Sequence, residues 1–115
     1  AREWQGGDDA DNQWWRAKSA DTFGPLGPYI ITGIDPQNVG IKGYVNGVEG
    51  QSCHSSEMIF STAKAISFIS KYATLLPGDM LWTGTSGKTP PINPGDTVRI
   101  EIENVGVLEN PVEAA

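Results

Sequence analysis

The chain has 115 residues, 38% of them apolar and 19% charged, which supports one domain with a modest core and argues against global disorder. Eight Lys and Arg against 14 Asp and Glu give a net charge of −6, and the basic residues are scattered from Arg2 to Arg99 without a run. Nucleic acid is therefore not an expected partner. Without a stretch of about 18 apolar residues, neither is a membrane span.

Fourteen glycines and eight prolines predict many turns and little helix. Arg2, Glu3, Asp8 and Asp9 stand where a signal peptide would need an apolar core. Residues 6–13 are polar and glycine-led and read as a mobile surface loop. Asp8, Asp9 and Asp11 are dense in charge but lack the glycine and terminal glutamate of a calcium loop. Trp14 and Trp15 beside Arg16 could stack on a flat ligand, although such aromatics more commonly pack in a core or a subunit contact. Lys18, between Ala17 and Ser19, reads by itself as a surface lysine. Gly24-Pro25-Leu26-Gly27-Pro28 forms a stiff turn leading into an apolar strand at 29–32, and Asp35-Pro36-Gln37-Asn38 is another turn.

Alternation then sets in. Ile41, Gly43 and Val45 share one face, and Lys42, Tyr44 and Asn46 the other. Asn46-Gly47 is a strong hairpin signal, because both central residues of a type I′ turn need positive φ, and it predicts a returning strand at 48–52. Cys53 and His54 follow. Neighbours on a strand face opposite ways, which works against a nucleophile–base pair. One Cys and one His also fall short of a zinc site. With a single cysteine no internal disulfide is possible, which fits a cytoplasmic protein.

One convincing helix is expected within 62–74, capped by Ser61, with Ile66, Ile69 and Ala73 at i, i+3, i+7. Pro77-Gly78 stops it. A short strand is expected at 79–83, then a long loop through 84–94. Gly84-Thr85-Ser86-Gly87-Lys88-Thr89 ends like a phosphate loop. Trp82, however, stands at the position of the required first glycine, and Pro90 and Pro91 replace the helix that should follow. Val98, Ile100 and Ile102 alternate with Arg99, Glu101 and Glu103 as a half-buried strand, Asn104 to Gly106 turns, and a last strand is expected at 107–112. The residues alone predict one β-rich α+β unit with one main helix.

The order of segments says more. Ala1-Arg2-Glu3-Trp4-Gln5 is followed by Ala17-Lys18-Ser19 and by Asp21-Thr22-Phe23-Gly24-Pro25-Leu26-Gly27-Pro28. Val45-Asn46-Gly47, Met58-Ile59-Phe60-Ser61, Ile69-Ser70 and Thr74-Leu75-Leu76-Pro77-Gly78-Asp79 come next. Thr83-Gly84-Thr85, Pro94-Gly95-Asp96 and Gly106-Val107-Leu108-Glu109-Asn110-Pro111-Val112 complete the series. In collinear order over nearly the whole chain, these segments resemble the fumarylacetoacetate hydrolase family.

The resemblance implies a rolled mixed β-sheet, incomplete here, and usually a homodimer. It also implies a magnesium- or manganese-dependent enzyme acting on small 2-oxo or 1,3-dicarbonyl acids. The reactions are C–C hydrolysis such as acylpyruvate cleavage, oxaloacetate decarboxylation, and isomerisation or decarboxylation of oxo-dienedioates. Residue by residue, Lys18 is similar to the family's active-site lysine, Thr22 to a threonine beside the metal shell, Arg2 and Gln5 to an Arg and a substrate-facing Gln, and Thr85 to a substrate-contacting threonine.

After Thr85 the family usually has Pro and then Gly-Val, where Ser86-Gly87-Lys88 stands here. The family's metal carboxylates, a Glu-x-Glu pair and an aspartate, would precede Ala1, as would the Glu-His pair of hydrolytic members. The resemblance therefore implies the C-terminal portion of a single catalytic domain in a longer enzyme, with no metal ligand in this chain and an isolated chain that is inactive. The other class of function open at this point is a non-catalytic β-rich association module.

Overall fold

Asn46 and Gly47 both adopt left-handed backbone, φ 51° and 78°, and turn β1 (Gly40–Val45) directly into β2 (Val48–His54). The primed turn matches the twist of the flanking strands, as the Asn-Gly pair predicts. The structure, a computed structural model, describes residues 2–8, 10 and 14–114. β3 (Thr97–Ile102) pairs with the free side of β1, and β4 (Gly106–Pro111) with β3, giving the order β2-β1-β3-β4 with every pairing antiparallel.

Register puts like with like. Ile41 faces Ile102, Gly43 faces Ile100 and Val45 faces Val98, while Lys42 faces Glu101 and Tyr44 faces Arg99. Paired residues share a face, so one side of the sheet is apolar and the other charged. On the charged side Lys42 pairs with Glu49 at 3.4 Å, Arg99 pairs with Glu101, and the Tyr44 hydroxyl donates to Glu101 at 3.3 Å. Burial and the Glu101 charge push the Tyr44 phenol above its ordinary value. The hairpin carries one irregularity. Gly43 faces Gln51 and Tyr44 faces Glu49, which leaves Gly50 as the extra residue of a β-bulge.

Asn46 also ties the turn to β3. Its Nδ2 donates to Asp96 at 2.7 Å, and its Oδ1 accepts from the Thr97 N–H at 2.9 Å. Past β2, a 3-10 turn (Ser55–Glu57) places Ser55 in the interior, where its hydroxyl accepts from the Val39 N–H at 2.9 Å. Gln37 bridges onward, donating to the Ser55 carbonyl at 3.3 Å and accepting from the Thr62 N–H at 2.6 Å.

Thr62 opens the expected helix, Thr62–Ile69, and the Ser61 hydroxyl caps it by accepting from the Lys64 N–H at 3.2 Å. It is the longest of three helices among the described residues, after α1 (Arg2–Gly6) and α2 (Trp15–Ser19); it is α3. Ile66 and Ile69 line a groove of about 390 Å³ with Leu75, Leu76, Met80 and Leu81.

Three expectations need correction. The apolar runs at 29–32 and 79–83 are irregular rather than strands. An extended run becomes a strand only by pairing, and no described backbone pairs with either. Ile30 is 95% exposed, while Tyr29 lies against Gly106, where an added β-carbon would sit 3.5 Å from its ring. Helices α1 and α2 have five residues each, too few for helical periodicity to register in the sequence. Gly6, assigned to a loop over 6–13, instead closes α1. Within that stretch Asp9 and residues 11–13 lie outside the described residues.

Among the described apolar side chains only Ala17 and Val39 are buried, while Ile59 is 92% and Tyr72 80% exposed.

Candidate functional site

The expected site residues lie on two short helices, the turn after them, and a loop far along the chain. Gln5 is half-buried near the end of α1, and Lys18 is exposed on α2 directly after buried Ala17. Thr22 is exposed and left-handed, φ 68°, a conformation that a β-branched residue adopts only under constraint. Thr85 is exposed at the start of the 84–94 loop. Arg2 lies in α1, but its side chain and that of Glu3 are outside what is described.

Aromatic contacts bind these segments together. The Trp4 ring, next to Gln5, stacks on Phe23, next to Thr22, with centroids 6.1 Å apart and planes 13° from parallel. The Arg16 guanidinium, two residues before Lys18, sits 4.8 Å from the Trp4 centroid, a cation–π distance. Trp82, three residues before Thr85, closes the group: a β-carbon on Gly24 would lie 3.4 Å from its Cζ2. Gln5, Lys18, Thr22 and Thr85 therefore sit on segments that meet around one aromatic cluster. This also gives Trp4 and Trp82 a packing role.

Gln51 was not singled out from the sequence, yet it holds the Thr85 loop to the sheet. Its Nε2 donates to both the Thr85 hydroxyl and the Ser86 carbonyl. Only the bulge at Gly50 shows why this strand reaches that loop, and no local sequence pattern links residues so far apart.

Other candidates do not assemble. His54 Nδ1 is engaged by Ser56, at 2.7 Å from its hydroxyl, and caps the 3-10 turn, while Cys53 is a half-buried free thiol. Asp8 is exposed, and Asp9 and Asp11 lie outside the described residues. Among the described residues no group of three or more His, Cys, Asp or Glu side chains could hold a metal ion. One concavity, about 730 Å³, is lined by Gly40, Lys42 and the 101–107 turn and by none of the expected site residues. No helix among the described residues is long and apolar enough to cross a membrane.

The family described as Fumarylacetoacetate (FAA) hydrolase C-terminal matches residues 1–113. The mitochondrial oxaloacetate tautomerase of Xenopus laevis is 41% identical over 122 residues, covering 97% of this chain and 38% of that protein. A 2-hydroxyhepta-2,4-diene-1,7-dioate isomerase from Mycobacterium marinum has the same fold at a TM-score of 0.91 and 45% identity, over 98% of this chain and 44% of that one. A maleylpyruvate hydrolase from Sphingobium sp. SYK-6, solved with manganese (II) and pyruvate, matches at a TM-score of 0.77 and 34% identity, over 81% of this chain and 36% of that one. The chain spans 38% to 44% of the length of the first curated relatives it matches.

Proposed function

The chain belongs to the fumarylacetoacetate hydrolase family, and from that premise we propose that it forms the C-terminal portion of the catalytic domain of an enzyme acting on small 2-oxo or 1,3-dicarbonyl acids. The reaction class is hydrolysis of a C–C bond, or isomerisation or decarboxylation of an oxo-dienedioate. The names of the three relatives support this class: each refers to a 2-oxo acid or its enol. The observation that carries the reading furthest is the aromatic cluster of Trp4, Phe23, Arg16 and Gly24–Trp82, which gathers the segments of Gln5, Lys18, Thr22 and Thr85.

Lys18 is the catalytic residue of this portion. A protonated lysine has three donors and no acceptor, so it can attract only electron-rich groups, here the carboxylate and the carbonyl oxygen of the substrate. As that carbonyl gains negative charge the attraction grows, which lowers the barrier more than it tightens binding. Arg2, Gln5 and Thr85 orient the substrate, and Thr22 stands beside the metal shell. The parent enzyme uses magnesium or manganese, in line with the manganese-bound relative. The described residues do not fit that ion, because they lack a ligand set; its carboxylates are assigned to another part of the parent.

Association is the second reading. The exposed apolar side chains, Ile30, Ile59 and Tyr72 among them, support a homodimer and would equally suit a non-catalytic module. The free Cys53 thiol fits a reducing compartment such as the cytoplasm.

Lys18→Met in the full-length parent separates the two. It deletes the charge at similar length, and turnover is expected to fall by about 10²–10³ with metal affinity unchanged. Turnover within about threefold of the parent removes Lys18 from the site, and lost metal with an intact fold makes its role structural.

A further inference from the structure

Gln51 lies on the apolar face of the sheet opposite Gly43, immediately after the bulge residue Gly50. A bulge re-aims the side chains beside it. Gln51 spends both protons of its amide on the loop, one on the Thr85 hydroxyl oxygen and one on the Ser86 carbonyl. A peptide carbonyl can only accept, so the Gln51 atom facing Ser86 is the amide nitrogen. The same nitrogen meets Thr85, so the Thr85 oxygen must be the acceptor in that bond. Its own proton is thereby left to point elsewhere, and among the described residues no bond takes it. Gly50 supports the same contact from beside it. A β-carbon there would lie 2.7 Å from Pro90 Cγ and 3.0 Å from its Cδ, so the absence of a side chain lets the far end of the loop rest on the bulge.

We propose that Gln51 is a positioning residue that seats the 85–90 loop on the bulge and sets Thr85 as a hydrogen-bond donor toward an anionic oxygen of the substrate. The inference rests on the reading above that Thr85 faces a 2-oxo acid, and goes beyond it by fixing the direction of the proton. A carboxylate or enolate oxygen accepts and cannot donate, so a hydroxyl whose oxygen already accepts from Gln51 presents the complementary partner without reorganising. Ser86-Gly87-Lys88 is this chain's departure from the usual family sequence, and Gln51 holds that departure at its first residue.

The test uses the full-length parent protein with pyruvate as the probe, its affinity measured by calorimetry in the presence of manganese. Hydrogen exchange over 84–90 is measured separately in the metal-free protein. Thr85→Val and Gln51→Met should each weaken pyruvate by about ten- to a hundredfold, the loss of one hydrogen bond to a charged group. The double variant should be no weaker than Thr85→Val alone, because both changes remove the same contact. Thr85→Ser, which keeps the hydroxyl, should bind within about threefold of the parent. Gln51→Met should also speed exchange in the loop.

Additive losses in the double variant, or Gln51→Met matching the parent in affinity or in exchange, overturn the proposal while leaving Thr85 in the site. A silent Thr85→Val overturns the substrate role of Thr85, and the donor orientation falls with it. Faster exchange in Gln51→Met would then report a seat of structural use only.

Discussion

Gly50→Ala places one methyl group where the bulge meets the Thr85 loop, and its effect can be worked from the geometry. Gly50 has no left-handed φ, so alanine is allowed by its backbone and the substitution tests contact alone. The new carbon would sit 2.7 Å from Pro90 Cγ and 3.0 Å from Pro90 Cδ, whereas carbon atoms rest at about 3.5–4.0 Å. A proline ring cannot swing aside as a flexible side-chain end can, so the loop has to retreat by about 1 Å. Stability should drop by about 1 kcal/mol, the low end for overpacking because the loop is exposed. A displacement of that size at Thr85 should lower kcat/KM by about 10²-fold. Steady-state kinetics of the parent enzyme with urea denaturation alongside would measure both. Pro90→Ala in the same background removes Cγ and Cδ and should recover most of the activity. Unchanged kcat/KM in Gly50→Ala, or no recovery in the double variant of a protein that still folds, would refute the seating of the loop on the bulge.

Asp96 gives a pH prediction. The Asn46 side chain and the Asn93 N–H donate to its carboxylate and hold it below its ordinary value of 3.8. The folded chain thus favours the ionised form; that contribution is complete above the ordinary value and fades as pH falls through the lowered one. Urea midpoints of Asp96→Asn and the parent should therefore converge as pH falls below the ordinary value of 3.8, whereas parallel curves would contradict the assignment. The exposure of Ile30, Ile59 and Tyr72 predicts that the 115-residue chain associates; sedimentation showing a compact monomer at high concentration would count against it.

What the sequence made legible is what local chemistry decides. Asn46-Gly47 announced a two-residue turn, and the alternation of Val98, Ile100 and Ile102 announced a strand whose apolar side meets Ile41 and Val45. Ser61 announced the helix it caps. The runs at 29–32 and 79–83 misled because apolarity reports burial in some environment, not a hydrogen-bonded neighbour. The family was legible in the order of segments, which the match over residues 1–113 bears out. Its site residues came through that order rather than through any spacing. Lys18 looked like an ordinary surface lysine, and only the packing of Trp4, Arg16, Phe23 and Trp82 draws its segment toward that of Thr85. Gln51 was illegible for a simple reason: its role depends on one bulge and on a loop 34 residues away.

The most direct test of the account is a crystal structure of the full-length parent with manganese and pyruvate. Lys18 Nζ and Thr85 Oγ should both lie within about 2.7–3.2 Å of pyruvate oxygens, with Gln51 still donating to Thr85. Pyruvate bound at another part of the protein, with Lys18 and Thr85 both out of hydrogen-bond reach, would contradict it.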